Sequence, residues 1–189
     1  MTERLESMLV AHLRASEIPY CVIGAYALAH HGVIRFTADL DVLVMSTRIL
    51  PKAFWPGELA SHITAIRRGD QGDPFEGIVV FGGSLPIDVL VGRGKIMRQA
   101  VSNAVDATSV NGQIMRFASA VDLALLKLEA GAPKDLSDIL SLIESRKLSE
   151  PEAPLLPQIA SRADELSAWG KGKWAYLQRL LTPDEPQAG

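Results

Sequence analysis

The sequence is short of several features that would fix a protein's class at a glance. It has one cysteine, Cys21, in 189 residues, so no intrachain disulfide can form and the chain suits a reducing compartment. It has no run of 18 or more apolar residues, which argues against a membrane-spanning helix. Met1 to Arg14 mix acidic and basic side chains and lack the apolar centre of a secretory leader. These absences together predict a cytoplasmic location. Basic charge is short as well: 19 Lys and Arg stand against 22 Asp and Glu, a formal net charge of −3. That balance excludes a general electrostatic grip on long nucleic acid, while leaving room for a local patch that meets a structured RNA end. Internal repeats and low-complexity tracts are also missing.

What remains is ordinary globular material, 48% hydrophobic and 22% charged. A chain of this length buries roughly 70% of its unfolded surface, so it needs no metal to fold, and any metal serves chemistry. Leu5, Met8, Leu9, His12 and Leu13 share one helical face. Short apolar strands are predicted at Tyr20–Ile23 and Leu40–Met45. Three further extended segments follow, near His62–Arg68, Gly77–Phe81 and Ile87–Val91. Helix is predicted for Ala25–His31, in parts of Ser46–Leu59 where Pro51 and Pro56 interrupt it, and for Lys95–Val105. The Asn111-Gly112 pair marks a hairpin within Thr108–Phe117. From Ser119 the pattern is helical, with Ser119 and Asp122 as a capping box, Gly131 ending one helix and Pro133 opening the next. Glu150–Pro157 reads as a linker, Trp169, Trp174 and Tyr176 lie in a helical tail, and the last residues, Thr182–Gly189, are expected to fray. The predicted division is a core at 1–118 and a helical region at 119–189. The fold class is α+β, a short mixed sheet with flanking helices and a C-terminal helical segment.

The chemistry is carried by acids. In Arg35-Phe36-Thr37-Ala38-Asp39-Leu40-Asp41, strand periodicity puts Asp39 and Asp41 on one face and turns Leu40, Val42 and Val44 the other way. Two adjacent carboxylates repel, so a cation is needed to neutralise them. Asp88 stands alone in the apolar run Ile87-Asp88-Val89-Leu90-Val91, where burial without a partner is costly. A strand carrying Asp88 beside one carrying Asp39 and Asp41 would collect three carboxylates around shared cations. Mg²⁺ is held in this manner, by a few carboxylates plus substrate phosphates. Two such ions serve displacement at phosphorus, with Mn²⁺ able to stand in. Asp39 and Asp41 are then ligands to both ions, and Asp88 a ligand and the base toward an attacking hydroxyl. Gly24, at a strand–helix junction, allows close approach of a triphosphate, with the Ala25 amide donating. Arg35 and Thr37 add a charge and a hydroxyl.

The run Val22-Ile23-Gly24-Ala25-Tyr26-Ala27-Leu28 through Arg35-Phe36-Thr37-Ala38-Asp39-Leu40-Asp41, with Ile87-Asp88-Val89-Leu90 later, resembles the DNA polymerase beta-like nucleotidyltransferase superfamily. More narrowly, it resembles the small bacterial group related to abortive-infection nucleotidyltransferase toxins. Asp122-Leu123-Ala124-Leu125-Leu126-Lys127-Leu128 through Lys134-Asp135-Leu136-Ser137-Asp138-Ile139 resembles that group's helical section. The resemblance covers about Tyr20–Ile143. It implies transfer of a nucleoside monophosphate from a nucleoside triphosphate to an acceptor hydroxyl, with release of pyrophosphate, and it implies that Lys127 approaches the triphosphate. The acceptor stays open between a tRNA end, a protein and a small molecule such as an aminoglycoside, and a cognate antitoxin is an implied partner. One departure stands out: Ala25 occupies a position where many members carry Gly or Ser, which removes a hydroxyl but not the amide. It favours the rival reading, a non-catalytic nucleotide-binding or toxin–antitoxin interaction module. Phosphatases and glycosyltransferases that use Asp-x-Asp place it after an apolar strand, whereas here the apolar run begins inside the motif. His30 and His31, adjacent rather than four apart, do not have metal-pair spacing. His30 is expected in packing or solvent, and Asp135 and Asp138 in solvated pairs beside Lys134.

Overall fold

The computed structural model describes residues 2–109 and 112–182. It forms two compact units that meet between Leu123 and Ala124, inside a helix, where the sequence suggests a division at 118/119.

The first unit opens with helix α1 (Thr2–Ala15), whose Leu5, Leu9 and Leu13 are buried. Strand β1 (Tyr20–Val22) follows, then α2 (Gly24–His30) and β2 (Leu40–Val44). The 46–61 segment is helical in pieces, as the prolines dictate: two single turns at Thr47–Ile49 and Lys52–Phe54, then α3 (Gly57–Ser61). Strands β3 (Ile63–Arg68), β4 (Phe75–Phe81) and β5 (Ile87–Gly92) precede α4 (Gly94–Ser102), and β6 (Val105–Thr108) and β7 (Ile114–Phe117) complete the sheet. The order across its seven strands is β3-β4-β5-β2-β1-β7-β6. Pairing is parallel for β2 with β5 and β1 with β7, and antiparallel elsewhere. This is the mixed sheet with flanking helices that the sequence predicts. The β6–β7 hairpin is the expected one, although Asn111 lies outside the described residues, as do 183–189 of the expected frayed end.

Central position explains the composition of β2. Strands covered on both faces lose the apolar–polar alternation, and Leu40, Val42, Leu43 and Val44 are all buried, with Asp41 alone half-buried. In β5, Ile87, Val89 and Val91 are buried and Asp88 is half-buried. Register brings the exceptions together, because Asp41 is the cross-strand partner of Asp88. Helix α4 stops at Ser102, short of the expected Val105, since Val105 is drawn into pairing with Phe117.

The second unit comprises the remainder of α5 (Ala120–Ala130) with α6 (Pro133–Ser149), α7 (Leu155–Ala160) and α8 (Ala168–Leu181). The punctuation is as expected. Ser119 Oγ accepts from the Asp122 amide at 3.1 Å and bonds its carboxylate at 2.6 Å. Gly131 takes the left-handed φ of 65° just past α5, and Pro133 is the first residue of α6. The 150–157 segment departs from a plain linker because α7 begins within it at Leu155. Pro157 falls in that helix's first turn, where its missing N–H breaks no helical bond. Leu125, Leu128, Ile139, Leu142, Ile159 and Leu177 form the buried core of this unit.

Candidate metal centre and adjoining cavity

Three carboxylates converge in the first unit. Asp41 and Asp88 project from paired positions of β2 and β5, and Asp39 lies one residue before β2 begins. Oxygens from the three lie within 4.8 Å of one another, and all three residues are half-buried. Thr37 holds the member outside the strand: its hydroxyl donates to Asp39 Oδ1 at 2.9 Å. The sequence assigns that hydroxyl to a phosphate; here it orients a carboxylate.

The cluster is electrostatically uneasy by itself. Burial, helped by the charge of Asp39, raises the Asp88 pKa, and Arg67 opposes the rise. A cation relieves both causes. The donors are all hard oxygens, and ligands on opposite sides of an Mg²⁺ sit roughly 4 Å apart, a span this cluster can bridge. The residues present therefore fit divalent metal.

Gly24 forms one wall. Its φ is 65°, and a Cβ built there would overlap Asp41 Oδ2. The residue is glycine for two separate reasons, backbone conformation and contact with an acid. The first turn of α2 is thereby fixed against the carboxylates, and Ala25, 2% exposed, offers nothing but backbone at the next position.

Beside α2 is a half-open cavity of about 290 Å³. Its rings are Tyr26, His30, Phe36 and Phe117, and Arg35 and Thr37 also line it. His30 stacks on Phe117, with centroids 4.5 Å apart and planes 18° from parallel, and burial lowers its pKa. His31 meets the His30 ring edge-on, with centroids 5.0 Å apart, and its Nε2 lies 2.9 Å from the Ala118 carbonyl. The adjacent histidines, expected to face different directions, have their rings in contact, and His30 proves to be a cavity residue. Sequence reasoning misses it, and Phe117 too, since a stacked pair 87 positions apart leaves no local signal. Arg67 is likewise missed. It lies on β3, two positions along from Ala65, which opposes the β4 partner of Asp88, so alternation brings it to the acidic face.

Lys127 needs a correction. In the second unit its ammonium lies 3.0 Å from Asp135 Oδ1 and 2.6 Å from Asp138 Oδ2, and all three side chains are under a tenth exposed. An ammonium between two carboxylates has no surplus positive charge for a phosphate. Asp135 and Asp138, expected in solvent, are its buried partners.

No family model and no curated protein matches the chain in sequence. Solved structures do resemble it. The crystal structure of ANT(2")-Ia in complex with adenylyl-2"-tobramycin aligns with a TM-score of 0.52 at 16% identity, over 86% of this chain and 99% of the other. An antigenic nucleotidyltransferase-like protein from Paracoccidioides brasiliensis aligns with a TM-score of 0.45 at 18% identity, over 87% and 89% of the two chains. The first of these likenesses shows that the chain has the nucleotidyltransferase fold.

Proposed function

We propose that this protein transfers a nucleoside monophosphate from a nucleoside triphosphate to an acceptor hydroxyl at the Asp39–Asp41–Asp88 cluster. The observation that carries the reading is the convergence of these acids beside Gly24, on a nucleotidyltransferase fold. Asp39 and Asp41 would hold two divalent cations, Mg²⁺ or Mn²⁺, and Asp88 would help to hold one of them. When bound, the ions supply the positive charge that screens the triphosphate and the departing pyrophosphate. Thr37 keeps the Asp39 carboxylate turned toward its neighbours. Asp88 takes the proton of the acceptor hydroxyl, acting as the base beside the metal it helps to hold. The acceptor oxygen then bonds to the α-phosphorus, the α–β anhydride bond breaks, and pyrophosphate leaves. Gly24, Ala25 and Arg35 grip the triphosphate, the first two through backbone amides at the start of α2, so the step is mainly one of positioning and charge stabilisation. Lys127, already neutralised by its two aspartates, is left out of that grip.

Small-molecule acceptors gain some weight from the aminoglycoside adduct named with the ANT(2")-Ia structure; a tRNA end and a protein hydroxyl are the alternatives. The deciding experiment incubates the protein with each labelled nucleoside triphosphate in cell extract, with and without Mg²⁺. Metal-dependent labelling of one acceptor, abolished by Asp41→Asn in a folded variant, is the expected result. Undiminished transfer by Asp41→Asn would refute the assignment. Binding without pyrophosphate release across all acceptors would identify a non-catalytic module, with an antitoxin as its natural partner.

A further inference from the structure

The cavity beside α2 adjoins the site just described through Ala25, Arg35 and Thr37, while the rest of its lining has no role there, and its chemistry is one-sided. None of its ten lining residues is Asp or Glu, and Arg35 is the single one that carries a fixed charge. A polycationic ligand finds no counter-charge there. A planar, uncharged ring finds the stacked His30–Phe117 pair, with Tyr26 and Phe36 near by, and such surfaces stack bases whatever their identity.

We infer that this cavity is a nucleobase site, in which a base lies among the aromatic side chains while the phosphate or hydroxyl end of the same molecule reaches the acidic cluster. The inference rests on the nucleotidyl-transfer reading and adds a recognition site to it. Three observations support it besides the rings. The cavity shares a wall with the cluster: Ala25 follows the glycine packed on Asp41, and Thr37 bonds Asp39. A ligand spanning both is therefore short, the length of a base, a sugar and phosphate. The volume lies at the lower end of the range for small-molecule sites, which suits a nucleoside better than a multi-ring sugar. Phe36, finally, is 92% exposed although it is an aromatic side chain at the cavity, and a bound base gives it a surface to cover. Burial lowers the His30 pKa, which keeps its ring neutral for stacking near pH 7.

Two sources of the base are distinguishable: the nucleoside triphosphate itself, and a nucleic-acid acceptor end. Binding is measured by calorimetry with Mg²⁺ for four nucleoside triphosphates, inorganic tripolyphosphate, and a short RNA with free hydroxyl ends. The proteins are wild type, His30→Ala, which removes an exposed ring, and Ala29→Phe, which fills the cavity. The expected result is a loss of roughly tenfold or more in nucleoside triphosphate affinity in both variants, with tripolyphosphate affinity and circular dichroism unchanged. Loss of RNA affinity alone assigns the same site to the acceptor's base. Wild-type affinity of both variants for triphosphates and RNA overturns the inference, as does a wild type that prefers tripolyphosphate to every base-bearing probe. Failure of the wild type to bind tripolyphosphate with metal is a different result, and it counts against the metal-centre reading instead.

Discussion

Gly24 and Asp88 show how closely the site constrains single residues. Gly24→Ala imposes a left-handed conformation on a Cβ-bearing residue, a strain of roughly 1–2 kcal/mol, and drives that Cβ into Asp41. The expected outcome is a melting temperature lower by several degrees and at least a tenfold loss of transfer, read by thermal denaturation and by labelled-nucleotide assay. Asp88 behaves in the opposite sense. Its folded-state pKa lies above the unfolded value, so the folded chain binds this proton more tightly and is penalised at pH above that pKa. Metal-free Asp88→Asn is therefore expected to melt higher than the wild type near pH 7, with the difference shrinking as the pH falls through the Asp88 pKa; a pH series of melting curves checks the sign. Cys21 is simpler. Burial first, and Asp122 second, push its thiol up to about 12, so a thiol reagent is expected to modify it at the rate of global unfolding.

At the scale of elements, β2 and β5 were readable because each has an apolar run interrupted by acid, and the capping residues around α5 and α6 were readable because Ser, Gly and Pro act locally. Asp39 was legible as a partner of Asp41 although it sits before the strand, since spacing in sequence limits how far it can stray. The cavity was not legible, because it joins α2 to a residue of β7, and long-range packing has no periodic signature. Lys127 was misread for a related reason: helical spacing gives no warning that Asp135 and Asp138 turn inward. That internal ion cluster yields an element-level prediction. Lys127→Met leaves two buried carboxylates without their cation and is expected to destabilise the protein by about 3–5 kcal/mol, measured by urea unfolding, and replacing both aspartates by apolar residues as well is expected to restore much of it.

For the whole molecule, the proposed metal would link binding to folding. A cation that binds only the folded chain adds about 2.7 kcal/mol at a hundred times its dissociation constant, or roughly 5–10 °C in a chain of this size. Titration of Mg²⁺ into metal-free protein should raise the melting temperature by that order, chelator should reverse it, and Asp41→Asn should abolish the response. The pairing of Asp41 opposite Asp88 carries a further consequence. The same alignment of β2 and β5 that seats Ile87, Val89 and Val91 in the interior also faces the two acids toward each other, so a slip by a single position would spoil hydrophobic burial and ligand geometry in one stroke. That alignment thus leaves no slipped register in which the sheet stays packed while the two acids still meet.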